Sequence, residues 1–210
     1  ILQSKYKIYD NRSKIGIFSE VNNYLKGTKL NIKVFAESKN IFDSIKSFNE
    51  ISSRTFNRLD IPKCDIVMFF DYPADRETLD KILDKAQPKG IHFMNYEPKI
   101  MDEEETLKIF NGMIKFAAHN NNGVVELVRC ASFLGKSINV IEKLLSLYSE
   151  EGIIKILDKN NVFYTIEYVG NIDITKIIHN SKFAEIYTLI EECEIFQKSL
   201  LEDDLNEILI

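Results

Sequence analysis

Residues 65–96 have the sequence DIVMFFDYPADRETLDKILDKAQPKGIHFMNY, which gives the clearest indication of the fold class. Its first part, 65–70, is a continuous apolar run, which is typical of a strand buried on both faces of a parallel sheet. Residues 75–86 follow with apolar side chains at helical spacing, and 90–96 has the composition of another strand. Strand, helix and strand in this order predict part of a parallel α/β sheet.

The same alternation extends toward the N-terminus. Strands are predicted at 5–10 and 31–36, with a helix at 13–25 between them, in which Ser13 is a candidate N-cap and Gly27 a helix stop. A short helix is predicted at 41–48. Residues 1–101 are therefore expected to form a domain with a four-stranded, mostly parallel, Rossmann-like sheet and helices. Ligands usually bind beyond the carboxyl ends of such strands, and the residues predicted there are Asp10, Glu37, Asp71 and Glu97.

A second domain is predicted over residues 102–210. After a linker at 98–104, helices are expected at 104–119, 124–134 and 137–149, followed by strands at 152–156 and 162–168. Gly135 allows a tight turn between the last two helices, and this arrangement predicts a winged-helix-like domain. A phosphate loop at Gly135–Lys136 is disfavoured, because the upstream glycine that it requires is Cys130. Residues 174–210 are expected to be helical.

Composition and charge narrow the class of protein. Apolar residues make up 45% of the chain, which is enough for a globular core. No apolar run approaches the roughly 20 residues that cross a bilayer, so we expect a soluble, cytoplasmic protein with no membrane partner. The three cysteines are expected to be reduced core residues. Residues 1–101 have a net charge of +4 and residues 102–210 one of −9, so different partners are expected for the two halves.

No catalytic, cofactor-binding or metal-binding residue is predicted in this chain. Asp10 and Asp71 both follow strands, and two carboxylates there are suited to Mg²⁺ binding or acid–base chemistry. Capping of the following helix is the favoured role for both. None of His92, His119 and His179 has a second ligand at metal-binding spacing.

Contact with a nucleic acid or a partner protein is the remaining possibility for polar side chains. A solvated surface is the favoured interpretation of the basic clusters, and Glu142 and Glu150 make the helix at 137–149 a poor reader of DNA bases. The candidate contact residues are Arg12, Lys14, Arg54, Arg58, Lys136, Asn139 and Lys143.

The order of elements also resembles a known family. The residues that carry the likeness are Tyr9-Asp10-Asn11-Arg12, Val34-Phe35, Asp65-Ile66-Val67, Asp71-Tyr72-Pro73, 88–93, 137–156, and the final stretch with Ser181-Lys182-Phe183, Tyr187 and Leu200-Leu201. In these the chain resembles the C-terminal region of RecJ-type single-stranded-DNA-specific exonucleases from low-GC bacteria. The resemblance covers nearly the whole chain.

The resemblance implies an accessory role. In that family the nuclease chemistry, with its Mn²⁺ or Mg²⁺, belongs to an N-terminal region with an Asp-His-His motif that this sequence lacks. No catalytic residue is carried over, and the chain, which starts at Ile1, is expected to be a dissected domain. The implied partners are single-stranded DNA and repair proteins such as single-strand-binding protein.

Two other classes stay open from the sequence. One is a regulatory protein in which the α/β half senses a small molecule and the winged helix binds duplex DNA. The other is an enzyme that uses Asp10 and Asp71 at the edge of the sheet.

Overall fold

The computed structural model describes residues 4–95, 97 and 100–210, which form two compact units. Unit 1 comprises residues 1–99 together with 195–210, and unit 2 comprises residues 100–194. The expected second domain, 102–210, therefore differs from the observed division, because its last 16 residues belong to unit 1. The predicted end of a strand at residue 96 and the first residues of the predicted linker, 98–99, lie outside the described part.

Unit 1 contains a five-stranded parallel sheet in a Rossmann-like order, β1-β5-β4-β2-β3. Its strands are β1 (Lys7–Asn11), β2 (Ile32–Phe35), β3 (Thr55–Phe56), β4 (Ile66–Phe69) and β5 (Gly90–Met94), and its helices before residue 100 are α1 (Phe18–Gly27), α2 (Lys39–Ile45), α3 (Asn49–Ser52) and α4 (Arg76–Ala86). The predicted parallel Rossmann-like sheet is confirmed, although it has five strands instead of the expected four and all its pairings are parallel. Strand β3 was not predicted, since two residues carry no periodic pattern.

Two apolar layers enclose this sheet. On one face, α1, α2 and α3 contribute Val21, Leu25, Ile45 and Ile51 to a cluster with alternate residues of β2 and β4. On the opposite face, the other alternate residues of the strands, such as Val67 and Phe69 of β4, pack against α4. A parallel strand buried on both faces is apolar at nearly every position, which explains why all four residues of β4 are buried.

The C-terminal segment of the chain completes the second face. Leu200, Leu205 and Leu209 belong to the same apolar cluster as Phe69 and Phe93 of the sheet. They come from the end of α9 (Ser181–Glu202) and from α10 (Leu205–Ile208). Residues 195–210 are thus part of the core of unit 1, because a parallel sheet needs apolar cover on both faces.

Unit 2 consists of helices around a three-stranded antiparallel sheet of order β6-β8-β7. Its elements before α9 are α5 (Glu103–Asn120), β6 (Val124–Glu126), α6 (Leu127–Leu134), α7 (Ile138–Glu150), β7 (Ile154–Lys159), β8 (Phe163–Tyr168) and α8 (Ile174–Ile178). Gly135 lies between α6 and α7 with a left-handed φ of 68°, which confirms the predicted turn. The Ser137 side chain caps α7 as predicted.

Two local predictions were wrong. Helix α1 begins at Phe18, so Ser13 is not its N-cap. Residues 124–126 form strand β6 rather than the start of a helix, because they pair with β8. Strand β6 depends on Gly123, where φ is +77° and the backbone of β8 leaves no room for a Cβ. Within the described residues, no helix has the length and apolarity that a membrane crossing requires.

Candidate functional site

The carboxyl edge of the unit 1 sheet has the topology of a ligand site. Strand β2 lies between β3 and β4. The chain therefore adds β3 along one edge of β2 and then crosses over to add β4 along the opposite edge of β2. Such a switch point opens a crevice beyond the strand ends, where open α/β sheets usually bind their ligands. The polar residues there are Glu37 and Ser38 after β2, and Asp71 after β4.

Both carboxylate oxygens of Asp71 accept hydrogen bonds from backbone amides. Its Oδ2 accepts hydrogen bonds from the amides of Glu37 (3.1 Å) and Ser38 (2.6 Å), and its Oδ1 accepts one from Tyr72 (3.0 Å). The side chain is 3% exposed, and this burial raises the pKa of Asp71 although the amide bonds oppose the shift. Asp71 therefore ties the ends of β2 and β4 together. The predicted capping role was wrong, since Asp75 is the N-cap of α4.

A buried ion pair lies beside Asp71. The guanidinium of Arg58 donates from Nε and Nη2 to the two carboxylate oxygens of Glu37, both at 2.7 Å. Arg58 is 4% exposed, and its backbone amide also donates to Glu37. Arg58 was a candidate contact residue, but its side chain is enclosed by the switch point. The reason is that a fork-shaped guanidinium matches a carboxylate in two bonds and can be buried with it.

A second ion pair holds the C-terminal segment. Arg12 donates from Nε and Nη2 to the carboxylate of Asp10, at 2.9 and 2.8 Å. Its Nη1 donates to the carbonyl oxygens of Leu200 (3.0 Å) and Asp203 (2.8 Å) at the end of α9. Hydrogen bonding to Arg12 lowers the pKa of Asp10. Asp10 thus pairs with Arg12 instead of capping α1, and Arg12 stabilises the free carbonyls and the negative end of α9.

Asp10 and Asp71 have separate partners, so neither carboxylate is joined to the other by a shared ligand or hydrogen bond in the described part of the chain. No group of three or more His, Cys, Asp or Glu side chains suited to a metal ion occurs among the described residues. The three cysteines form no disulfide with one another in the described part of the chain, and burial raises the pKa of Cys64 and Cys130 to about 11.

His92 is a packed residue of β5. Its ring stacks on Tyr9 with centroids 4.2 Å apart, and its Nδ1 accepts a hydrogen bond from the Asn11 side-chain amide at 3.1 Å. Burial lowers the pKa of His92 to about 4. An amide nitrogen only donates, so Nδ1 must be unprotonated in this arrangement. His92 is consequently a neutral packing residue.

In unit 2, α7 presents few groups that recognise bases. Two of the candidate contact residues, Asn139 and Lys143, are exposed on this helix. Glu150 on the same helix forms an ion pair with Lys182. Lys136, the third candidate here, is buried 3.5 Å from the carboxylate of Glu194. Its side chain therefore neutralises a carboxylate within unit 2.

The last two candidate residues differ in exposure. Lys14 is exposed. Arg54 is half-buried and donates to the carbonyl of Leu25 at 3.0 Å, with its guanidinium 3.5 Å from Glu50. Of the seven candidates, Lys14, Asn139 and Lys143 are exposed, and the other four are buried or half-buried.

An apolar groove of about 520 Å³ lies between α5 and α6 in unit 2. Phe116 and Phe133 line it with 62% and 66% of their surfaces exposed, and Met113 forms part of its wall. Lys108 and Arg129 border it. Exposed apolar side chains gathered along a groove are typical of surfaces that contact other molecules.

A row of basic residues lies at the amino edge of the unit 1 sheet. Sequence reasoning placed three of them, Lys5, Lys7 and Lys63, in loose basic clusters but did not predict that they form a row with Lys29 and Lys89. Each lies just before a strand or at its first residue, and all are exposed. We call this row the lysine strip; it consists of Lys5, Lys7, Lys29, Lys63 and Lys89. The lysines are far apart in sequence, so only the strand order brings them together. The available signal was their recurring position ahead of predicted strands.

These observations define the class of molecule as a two-unit protein with a parallel α/β sheet whose carboxyl edge is closed by internal bonds. Comparison with known proteins adds no particular identity, because no protein-family model, curated protein or solved structure matches the chain significantly.

Proposed function

We propose that the chain is a non-catalytic accessory domain of a RecJ-like 5′–3′ single-stranded-DNA exonuclease, which serves DNA repair and recombination by contacting DNA or partner proteins. One observation carries the non-catalytic part of the proposal. Asp71, Glu37 and Asp10, the acidic groups best placed for chemistry, accept hydrogen bonds from amides or guanidinium groups of the chain itself. A general base or metal ligand needs its oxygen available to substrate or ion.

We further infer that unit 2 is a winged-helix domain. The order α5-β6-α6-α7-β7-β8, with α6 and α7 joined by a tight turn and β7-β8 as the hairpin, is the arrangement of that class. Lys136, the lysine that precedes α7, is buried against Glu194, and Lys143 lies beside Glu142, so α7 lacks the basic start of a helix that enters the major groove. This favours packing or partner contact over sequence recognition.

The metal of the parent enzyme, Mn²⁺ or Mg²⁺, is proposed to belong to the catalytic region with the Asp-His-His motif. No cofactor is proposed for this chain. The resemblance to RecJ-type enzymes and the internal bonding of the carboxylates support this division of roles.

The test is a nuclease assay with the purified chain. A 5′-labelled single-stranded oligonucleotide, incubated with the chain and Mn²⁺ or Mg²⁺, is expected to stay intact. Degradation that persists in the Asp10→Asn variant and disappears in Asp71→Asn would refute the proposal and favour an enzyme at the switch point. An Asp-His-His nuclease region in the same coding sequence would support the proposal.

A regulatory protein is the second candidate, and the helix-turn-helix between α6 and α7 favours it. In that case the α/β unit senses a small molecule and unit 2 binds duplex DNA. Duplex binding that weakens steeply with salt, together with a melting temperature raised by a metabolite, would support this candidate. Absence of duplex binding at low salt would eliminate it.

A further inference from the structure

The lysine strip is one continuous feature of the sheet edge. The amide of Lys7 donates to the carbonyl of Lys89 at 2.9 Å, and the amide of Lys89 donates to that of Asp65 at 2.9 Å. On the far side, the Asn31 side chain donates to the carbonyl of Lys63 at 3.2 Å, and Lys29 precedes Asn31 by two residues. Neighbouring strands are about 4.8 Å apart, so the strip spans four strands in roughly 15 Å.

The charges of the strip are available to an external anion. Among the described residues, none of the five lysines forms an ion pair within 4 Å, whereas Arg12, Arg54, Arg58 and Arg76 of the same unit all do. The acids nearby are Asp65 and Asp84. The carboxylate of Asp65 accepts the amide of Asn31 at 2.9 Å, and Asp84 is exposed beside Lys5. The row therefore keeps an excess of positive charge.

Aromatic side chains accompany the lysines. Tyr6 lies in a pocket of about 340 Å³ together with Lys5, Pro88 and Lys89, and the Lys5 ammonium is 5.1 Å from the centre of its ring. Tyr24, which is 48% exposed, is near the end of α1, five residues before Lys29. Aromatic rings beside a row of cations are the combination that proteins use for single strands, since bases stack on the rings while cations follow the phosphates.

We propose that the lysine strip binds the phosphodiester backbone of a single-stranded nucleic acid, with one base stacked on Tyr6. Phosphate contacts and ring stacking do not depend on the sugar or on the base, so DNA and RNA strands bind about equally. A duplex binds more weakly because its bases are not free to stack. This inference rests on the proposed function and assigns it a surface, which differs from the candidate residues expected from the sequence.

The magnitude of the salt dependence follows from the number of lysines. In single-strand binding, each phosphate contact contributes about −0.7 to the slope of the logarithm of the association constant against the logarithm of the salt concentration. Five lysines give a slope of about −3.5, so affinity falls about 100-fold between about 50 and 200 mM salt.

The experiment measures fluorescence anisotropy of a labelled oligo-dT strand with the whole chain, in EDTA so that no metal-dependent cleavage interferes. Lys63→Ala/Lys89→Ala should make the slope shallower by about 1.4. The matched variant Lys39→Ala/Lys46→Ala removes two exposed lysines from the region of α2 and should leave the slope unchanged. Tyr6→Ala should weaken binding about fivefold or more, which corresponds to the loss of one stacked base.

Several outcomes overturn the proposal. The proposal is wrong if the chain does not bind oligo-dT at about 50 mM salt, or if the two double variants lose the same amount of affinity for the strand. It is also wrong if a duplex of the same length binds with equal affinity, or if the chain binds anionic phospholipid vesicles but not the strand. The proposed function fails separately, if the chain degrades the strand when metal is added. Cleavage and binding are therefore distinguishable.

Discussion

Substitution of Leu200 tests whether the end of the chain is part of the unit 1 core. Leu200 is fully buried in the apolar cluster that contains Phe69 and Phe93. Leu200→Ala removes buried methyl and methylene groups and leaves a cavity under the sheet, which costs about 2–5 kcal/mol in well-packed cores. We expect a loss of about 3 kcal/mol in the free energy of unfolding of unit 1. This is a large part of the stability of an ordinary domain.

The matched control is Ile195→Ala in the same helix, where the side chain is 67% exposed and the expected change is within about 0.5 kcal/mol. Urea unfolding gives the overall stability, and hydrogen exchange read by peptide locates the change. Amides of β4 and β5 should lose protection in Leu200→Ala, while those of β7 and β8 keep it. A cost below about 1 kcal/mol, or loss of protection confined to β7 and β8, would contradict the assignment of residues 195–210 to unit 1.

Three further substitutions test other features. Gly123→Ala should unfold unit 2 at ordinary temperature, because the new Cβ would lie 2.2 Å from a carbonyl oxygen of β8. The control Gly112→Ala has open space around it and should stabilise α5 by about 0.5–1 kcal/mol. Circular dichroism melts of the two variants test both expectations. Arg58→Met should cost about 3–5 kcal/mol by leaving the buried Glu37 carboxylate without its partner, and adding Glu37→Gln should recover part of this loss in urea unfolding. His92 has a pKa of about 4 in the folded chain and about 6.5 in the unfolded chain, so the unfolded chain binds a proton more readily. The neutral form of His92 therefore contributes stability above pH 6.5 that is lost as pH falls toward 4. His92→Phe should remove about 1–2 kcal/mol of this decline, allowing for solvent screening, and an unchanged decline in unfolding free energy between pH 7 and pH 4.5 would contradict the prediction.

Local patterns in the sequence were sufficient for most elements. Strands β4 and β5 and helix α4 follow from an apolar run, helical spacing and a glycine, all of which act over a few residues. The turn at Gly135 and the Ser137 cap are equally local, because they depend on a backbone conformation and on one hydrogen bond to a residue three positions away. These features were therefore predictable without any knowledge of the tertiary structure.

Strands β3 and β6 were not predictable in this way. Each has two or three residues, and such short segments become strands only when a distant partner offers its backbone. The same holds for residues 195–210. Their helical pattern was visible in the sequence, but the surface that they cover depends on where the sheet lies.

The side chains of the candidate site show the same division. Composition predicted basic residues such as Arg12, Arg58 and Lys136 as surface cations, whereas each forms an ion pair with a carboxylate in the folded chain. The lysine strip is the converse case, since its members are scattered in sequence and adjacent only through the strand order β1-β5-β4-β2. The class of fold and the type of most elements were predictable from the sequence, because periodicity and capping are local. Which charges are neutralised within the chain and which face solvent became apparent from the folded structure, because pairing depends on contacts between residues far apart in sequence.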